Sequence, residues 1–271
     1  MMPLKALPVE CQLSIDKNGM NNDSRALAAG SDALKAQQDS VQLTCAATPA
    51  IPDYLQDNYW WAYLHPRSVW FFEHEWIVNL ILWGNMSKLT DAVLEEMCLQ
   101  PQSRVLQVAC VYGDFSGKLA SRLDETESRL GLVDVAPIQL RNARKKLEKL
   151  NNISFYHQDS TALGFPADSF DETVVFFLLH EQPQDARRKT IAEVIRVTRP
   201  GGKVVFVDYH RPQRPNPLRY VMKPILAMLE PFALDLWREE LPAFMPVEIQ
   251  PEQIVSTFFF GGLYQKVILN L

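Results

Sequence analysis

The sequence predicts an α/β protein built on a doubly wound, mostly parallel sheet. Three observations carry that expectation. Short runs of β-type apolar residues, VLQVACV from Val105, RLGLVDV from Arg129, ISFYHQD from Ile153, DETVVFFLLH from Asp171 and KVVFVDYH from Lys203, alternate with helix-patterned stretches. The fourth run is apolar enough for a strand buried on both faces. An RPGG sequence at 199–202 stands between the last helix pattern and the strand that follows it.

The elements follow in order. VLQVACV gives way through YGDFSG to KLASRLDE, a strand, turn and helix. After RLGLVDV, Pro137 stands where a helix begins, and Ile138, Leu140, Ala143, Leu147 and Leu150 follow one face of it. Arg141, Arg144, Lys145, Lys146 and Lys149 form the other face, read as a solvated surface whose cations complement the helix dipole. QPQDARRKTIAEVIRVTR supplies a further helix, and VSTFFFGGLYQKVILN a late antiparallel hairpin that closes the sheet. Residues 211–246, rich in proline, read as a helical insertion that cannot be one straight helix. Residues 51–100 hold five of the six tryptophans within their first 36 positions and read as an N-terminal aromatic helical cap. Residues 1–50 contain no Trp, Phe or Tyr and read as a disordered tail ahead of a single domain over 51–271.

Composition narrows the function classes. Among 271 residues, 27 Lys and Arg against 32 Asp and Glu give a net charge of -5, which offers no field for a nucleic-acid backbone. The apolar stretches are too short for a transmembrane helix. Cys11, Cys45, Cys98 and Cys110 are scattered without a CxxC pair, which points to a reducing compartment. Acids at Glu10, Asp16 and Asp23 break any leader pattern, so a cytoplasmic location is expected.

In an open parallel sheet the ligand crevice lies beyond the carboxyl ends of the strands. That rule selects Tyr112, Gly113 and Asp114, then Asp134, then Asp159 and Ser160, then His180 and Glu181. Asp134 follows Gly113 at the separation where an acid can accept the hydroxyls of an adenosine ribose. The first turn, ACVYGD, has one glycine and an acid, and so lacks the bare amides that a dinucleotide pyrophosphate needs. S-adenosylmethionine carries no phosphate and two cationic groups, and suits a loop with Tyr112, Asp114 and Phe115 better.

With those residues in view, positions 100–210 resemble class I S-adenosylmethionine-dependent methyltransferases, which implies a Rossmann-like fold. Their ribose acid matches Asp134 in GLVDVAP, their adenine-contacting acid matches Asp159 in YHQDSTALG, and their RPGG turn is present. Gln107 stands where an acid is usual, and Ala109 and Val111 where glycines are usual. That departure, with YWWAY, VYGDF, VDVAP, QDST and FLLHEQP, is similar to the rhodoquinone biosynthesis methyltransferase-like family over 51–271.

The resemblance implies that S-adenosylmethionine acts as amino donor, replacing a methoxy group of ubiquinone by an amino group, and it implies a manganese requirement. Expected cofactor contacts are Gln107, Ala109, Gly113, Asp114, Asp134, Val135, Asp159 and Ser160. Expected catalytic residues are His180 for proton handling, Tyr112 to shape the loop, and Ser160 beside Asp159 to fix the adenosine. Asp159 and His180 are the candidate metal ligands, and Tyr59, Trp60, Tyr63, Trp83 and Phe177 the candidate quinone contacts. His65, His74, His157 and His210 are read as structural or surface residues. Arg211, Arg214, Arg219 and Lys223 on the insertion lead to the expectation of peripheral attachment to the inner membrane. Two alternatives stay open: a conventional methyltransferase of a quinone or other lipophilic acceptor, and a silent S-adenosylmethionine-binding scaffold.

Overall fold

The computed structural model describes residues 49–97 and 100–271. All but the last two positions of the expected tail lie outside the described residues, as do Cys11, Cys45 and Cys98.

Seven strands form one sheet: β1 (Arg104–Val108), β2 (Arg129–Asp134), β3 (Ile153–His157), β4 (Phe170–Phe176), β5 (Thr198–Tyr209), β6 (Ile254–Phe259) and β7 (Tyr264–Asn270). Their order is β3-β2-β1-β4-β5-β7-β6. The first five run parallel, and β7 lies antiparallel between β5 and β6. The order reverses at β1, which has β2 on one side and β4 on the other, so the crevice opens at its carboxyl end.

Alternation within the strands explains why both sheet faces are covered. Val174 and Phe176 of β4 join Val205 and Val207 of β5 in one core, while Val175, Val204 and Phe206 point into the other. Helices α5 (Phe115–Asp124), α6 (Pro137–Lys146) and α7 (Gln184–Val197) complete the crossovers, burying Leu119 and Leu123, Leu140 and Ala143, and Ile191 and Val194.

Two local expectations fail instructively. The DETVVFFLLH run does not continue as a strand to His180. Phe177 takes a left-handed conformation (φ 53°), and Leu179–Glu181 form a 3-10 turn that swings His180 and Glu181 under the crevice. RPGG does not separate helix from strand either. It lies inside β5, where the pairing with β4 shifts register between Phe170 and Glu172. A side chain at Gly202 would place its Cβ 2.4 Å from the Asp171 carbonyl oxygen, so glycine is required by that close approach.

The cap consists of α1 (Asp53–Asn58), a π-helical turn (Trp60–Leu64), α2 (Pro66–Phe72), α3 (Glu75–Ile81) and α4 (Met86–Glu96). Pro66 holds His65 in an extended conformation that ends the π turn, and the His65 Nδ1 accepts the Arg67 N–H at 3.3 Å. The insertion forms α8 (Leu218–Leu229), with Pro224 inside it, then α9 (Asp235–Arg238) and a 3-10 turn at Leu241–Phe244. Of the basic residues of α6, Lys146 departs from the expected solvated role. It pairs with Glu73 after α2 and donates to the Gly113 carbonyl at 2.6 Å, tying cap, helix and first crossover loop together.

Candidate functional site

A cavity of about 620 Å3 lies beyond the carboxyl ends of β1, β2 and β4, roofed by the cap and α8. Its cofactor side is built from backbone. Ala109 occupies the left-handed region (φ 74°), so this loop keeps a glycine-like turn without the glycine. Ala109 and Phe177, the non-glycine residues strained in this way after β1 and β4, both line the cavity.

Asp134 ends β2 with one carboxylate oxygen accepting from the Cys110 N–H and the other from the Ala136 N–H, each at 2.7 Å. Burial raises its carboxyl above the usual range, while those two backbone donors and Cys110 Sγ pull it down. Each oxygen retains acceptor capacity, and the side chain faces the cavity, which fits two ribose hydroxyls. Val135 lines the same wall, its carbonyl 2.9 Å from His157 Nε2.

The opposite wall carries a buried acid–base cluster. His180 Nδ1 lies 2.9 Å from Asp208 Oδ1 at the end of β5, and the His180 N–H donates to Asp208 Oδ2 at 3.2 Å. Nε2 faces Glu181 at 3.9 Å and Glu230 at 4.0 Å. Burial alone lowers the imidazole, but Asp208, Glu230 and Glu181 outweigh it and bring His180 up to about 9. Burial pushes Glu181 up to about 8, against the His180 charge and the Tyr63 hydroxyl, and raises Glu230 above its ordinary range. Both shifts favour the protonated forms, so the wall is suited to hydrogen-bond to an acceptor oxygen through His180 and Glu181.

The sequence-expected residues divide by position. Ala109, Tyr112, Asp134, Val135, Ser160, Tyr63, Trp83, Phe177 and His180 all line the cavity. Six others are off its wall. Gln107 is fully buried under the loop, its Nε2 donating to the Ala109 carbonyl at 2.9 Å and to Ser116 Oγ at 2.8 Å. Gly113 (φ 78°) makes the turn behind Tyr112. Asp114 is turned to solvent beside Lys118, because it begins α5 instead of facing the crevice. Asp159 spends Oδ1 on the Thr161 N–H and hydroxyl, both at 2.8 Å, in its own turn. Trp60 is 54% exposed, since the π turn presents it outward. Tyr59 is also absent from the wall. It is fully buried beneath the cluster, beside Glu230.

Tyr112 is a packing and hydrogen-bonding element. Its ring stacks on Tyr63 at 5.6 Å and on Phe72 at 5.8 Å, while its hydroxyl donates to the Ala62 carbonyl and accepts from Gln139. Ser160 is held between Thr190 Oγ1 and Gln182 Nε2. The metal expectation does not fit: Asp159 is off the wall, and His180 Nδ1 is committed to Asp208. Among the described residues no group of three or more His, Cys, Asp and Glu side chains is set to hold a metal ion.

Sequence reasoning missed Glu230 and Asp208, and noted Glu181 without a role. Asp208 was signalled by an acid closing the apolar strand KVVFVDYH. Glu230, brought in from α8, had no local signal.

Comparison with known proteins agrees with this geometry. Residues 105–202 match the family model described as a methyltransferase domain. The 2-methyl-6-phytyl-1,4-hydroquinone methyltransferase of Synechocystis is 28% identical over 90% of this chain and 74% of that protein. The demethylmenaquinone methyltransferase of Staphylococcus saprophyticus is 28% identical over 51% of this chain and 58% of that one. The ubiquinone/menaquinone biosynthesis C-methyltransferase UbiE of Shewanella pealeana is 31% identical over 44% and 48%. The chain thus spans about half the length of the latter two. The solved PH0226 protein from Pyrococcus horikoshii shares the fold, with a TM-score of 0.51, 13% identity, and coverage of 82% of this chain and 99% of that chain. The sheet order, the crevice at β1 and Asp134 at the end of β2 all lie within or beside residues 105–202, the part of the chain that is similar to the methyltransferase-domain family.

Proposed function

We propose that the protein is an S-adenosylmethionine-dependent transferase acting on the ring of a lipophilic quinone. The observation that carries this reading is a single cavity joining the Asp134 wall to the His180–Glu181–Glu230 cluster through apolar and aromatic side chains. Relatives named for quinone and hydroquinone methylation support the substrate class. Asp134 and Val135 hold the adenosine, Ala109 and Tyr112 shape the loop beside the methionine portion, and Ser160 fixes the far edge of the site. Bound S-adenosylmethionine supplies either a methyl group or an amine. His180, whose protonated form the surrounding carboxylates favour, polarises the quinone oxygen. On this reading the proton handling expected of His180 is donation, which Asp208, Glu230 and Glu181 around it favour. Tyr63, Trp83 and Phe177 flank the ring. A prenylated substrate makes a membrane surface the partner, with the enzyme peripheral to it.

The relatives' names support methyl transfer to a ring carbon. Amine transfer, which converts ubiquinone to rhodoquinone, is favoured by one specific observation: the loop after β1 places no carboxylate on the cavity wall. Gln107 is neutral and Asp114 points to solvent, so an amine there lacks a counter-ion and loses its proton more readily. Methyl transfer is the reading the relatives favour, and amine transfer is kept as the second reading on that one observation. The test is incubation of S-adenosylmethionine labelled with heavy nitrogen with ubiquinone and, separately, with a prenylated hydroquinone that keeps a free ring C–H, followed by mass analysis of the quinones. Label in a lighter product from ubiquinone establishes amination. A heavier, unlabelled product from the second acceptor establishes methylation, and no change in either removes the acceptor class.

A further inference from the structure

We propose that the mouth of this cavity is a docking face for an anionic bilayer, through which a prenylated ring enters without crossing water; this rests on the lipophilic-acceptor reading above. Among the described residues, the cavity-lining side chains that are also exposed are Leu80, Ile81, Trp83, Ile225 and Leu229. All five are apolar, and they come from α3 with its following turn and from α8. The two elements meet where Trp83 Nε1 donates to Met222 Sδ at 3.3 Å.

The two helices that form the mouth also expose large apolar side chains elsewhere on their surfaces: Tyr220 (73% exposed) and Met228 (76%) on α8, and Trp76 (64%) on α3. Large apolar side chains exposed on the helices of a cavity opening suit an interaction surface, and Trp and Tyr favour the membrane–water boundary. Charge selects the occupant. The segment 211–229 contains Arg211, Arg214, Arg219 and Lys223 and no Asp or Glu, in a chain whose net charge is -5. A local cationic strip beside an apolar face complements anionic lipid headgroups. No helix of the described residues is long and apolar enough to cross a membrane.

The test uses the full chain with vesicles of phosphatidylcholine, with and without phosphatidylglycerol, read by co-sedimentation and tryptophan emission. The expected result is binding to the anionic vesicles with a blue shift of the exposed tryptophans. Neutralising Arg214 or Lys223 as Arg214→Gln or Lys223→Gln weakens binding by about fivefold each. The pair Trp76→Ser and Met228→Glu, neither on the cavity wall, weakens it by more than about tenfold. That pair leaves the thermal melt and the turnover of a short-chain, water-soluble quinone unchanged. Sedimentation independent of phosphatidylglycerol, or a dimer in solution that the pair dissociates, overturns the proposal. Turnover of the short-chain quinone without vesicle binding rejects docking and leaves the acceptor reading standing. Vesicle binding without such turnover supports docking and rejects the acceptor.

Discussion

The two walls of the cavity are made in opposite ways. The cofactor wall comes from residues 104–136, a continuous stretch whose contacts are mostly backbone: Asp134 accepts from the Cys110 and Ala136 N–H groups, and Gln107 braces the Ala109 carbonyl. The acceptor wall gathers Tyr63, His180, Glu181, Asp208 and Glu230 from the cap, two strand ends and the insertion. One wall is a local motif, and the other exists only when distant elements dock. On the proposed function, binding of the adenosine and proton handling at the acceptor are therefore separable by substitution.

The largest separation comes from His180. His180→Ala lowers turnover by about 10²–10⁴-fold while calorimetric affinity for S-adenosylhomocysteine is kept. A parallel loss of affinity would merge the two walls. Asp134→Ala does the reverse, weakening S-adenosylhomocysteine by about 10–100-fold through loss of a buried charged acceptor.

Gln107→Glu sharpens the comparison further. It places a carboxylate against the Ala109 carbonyl and removes the donor that now serves it, so stability in a denaturant titration falls by about 2–3 kcal/mol. The acid usual at this position is thus incompatible with the present loop.

The smallest effect, per unit of pH, is on folding stability. His180 and Glu181 both bind a proton more tightly folded than unfolded, so stability is greatest at low pH and falls as pH rises. Glu181 contributes a loss between 4.5 and about 8, and His180 between 6.5 and about 9. Each gives at most about 1.4 kcal/mol per pH unit, and the melting temperature drops most steeply where the windows overlap. Glu181→Gln removes the acidic part of that fall and His180→Ala the alkaline part. A melting temperature flat from pH 6 to 9 would deny the cluster its charge coupling.

The same contrast explains what the sequence disclosed. The alternation of apolar runs and helix patterns located β1 to β5, the crossovers and the late hairpin, because strand and helix periods are local properties. Asp134 was legible because its distance from the first turn is set by one crossover. Gln107 and Asp114 could not be placed, since whether a side chain near a strand end points into the crevice depends on left-handed residues of the loop, here Ala109 and Gly113. Phe177 turns the chain in the same way and brings Glu181 to the wall, which an unbroken apolar run conceals. Glu230 depends on α8 folding back over the sheet, a tertiary event without a local signature.

The Trp83–Met222 contact joins positions 139 apart in the chain. The cap's partners on the first two crossovers, Tyr112, Gln139 and Lys146, are synthesised soon after it, whereas its neighbours on the insertion come much later. Contacts at such separation form late. Closing the mouth is therefore a late step of folding, whereas the adenosine-binding core can assemble from its own neighbourhood before translation ends.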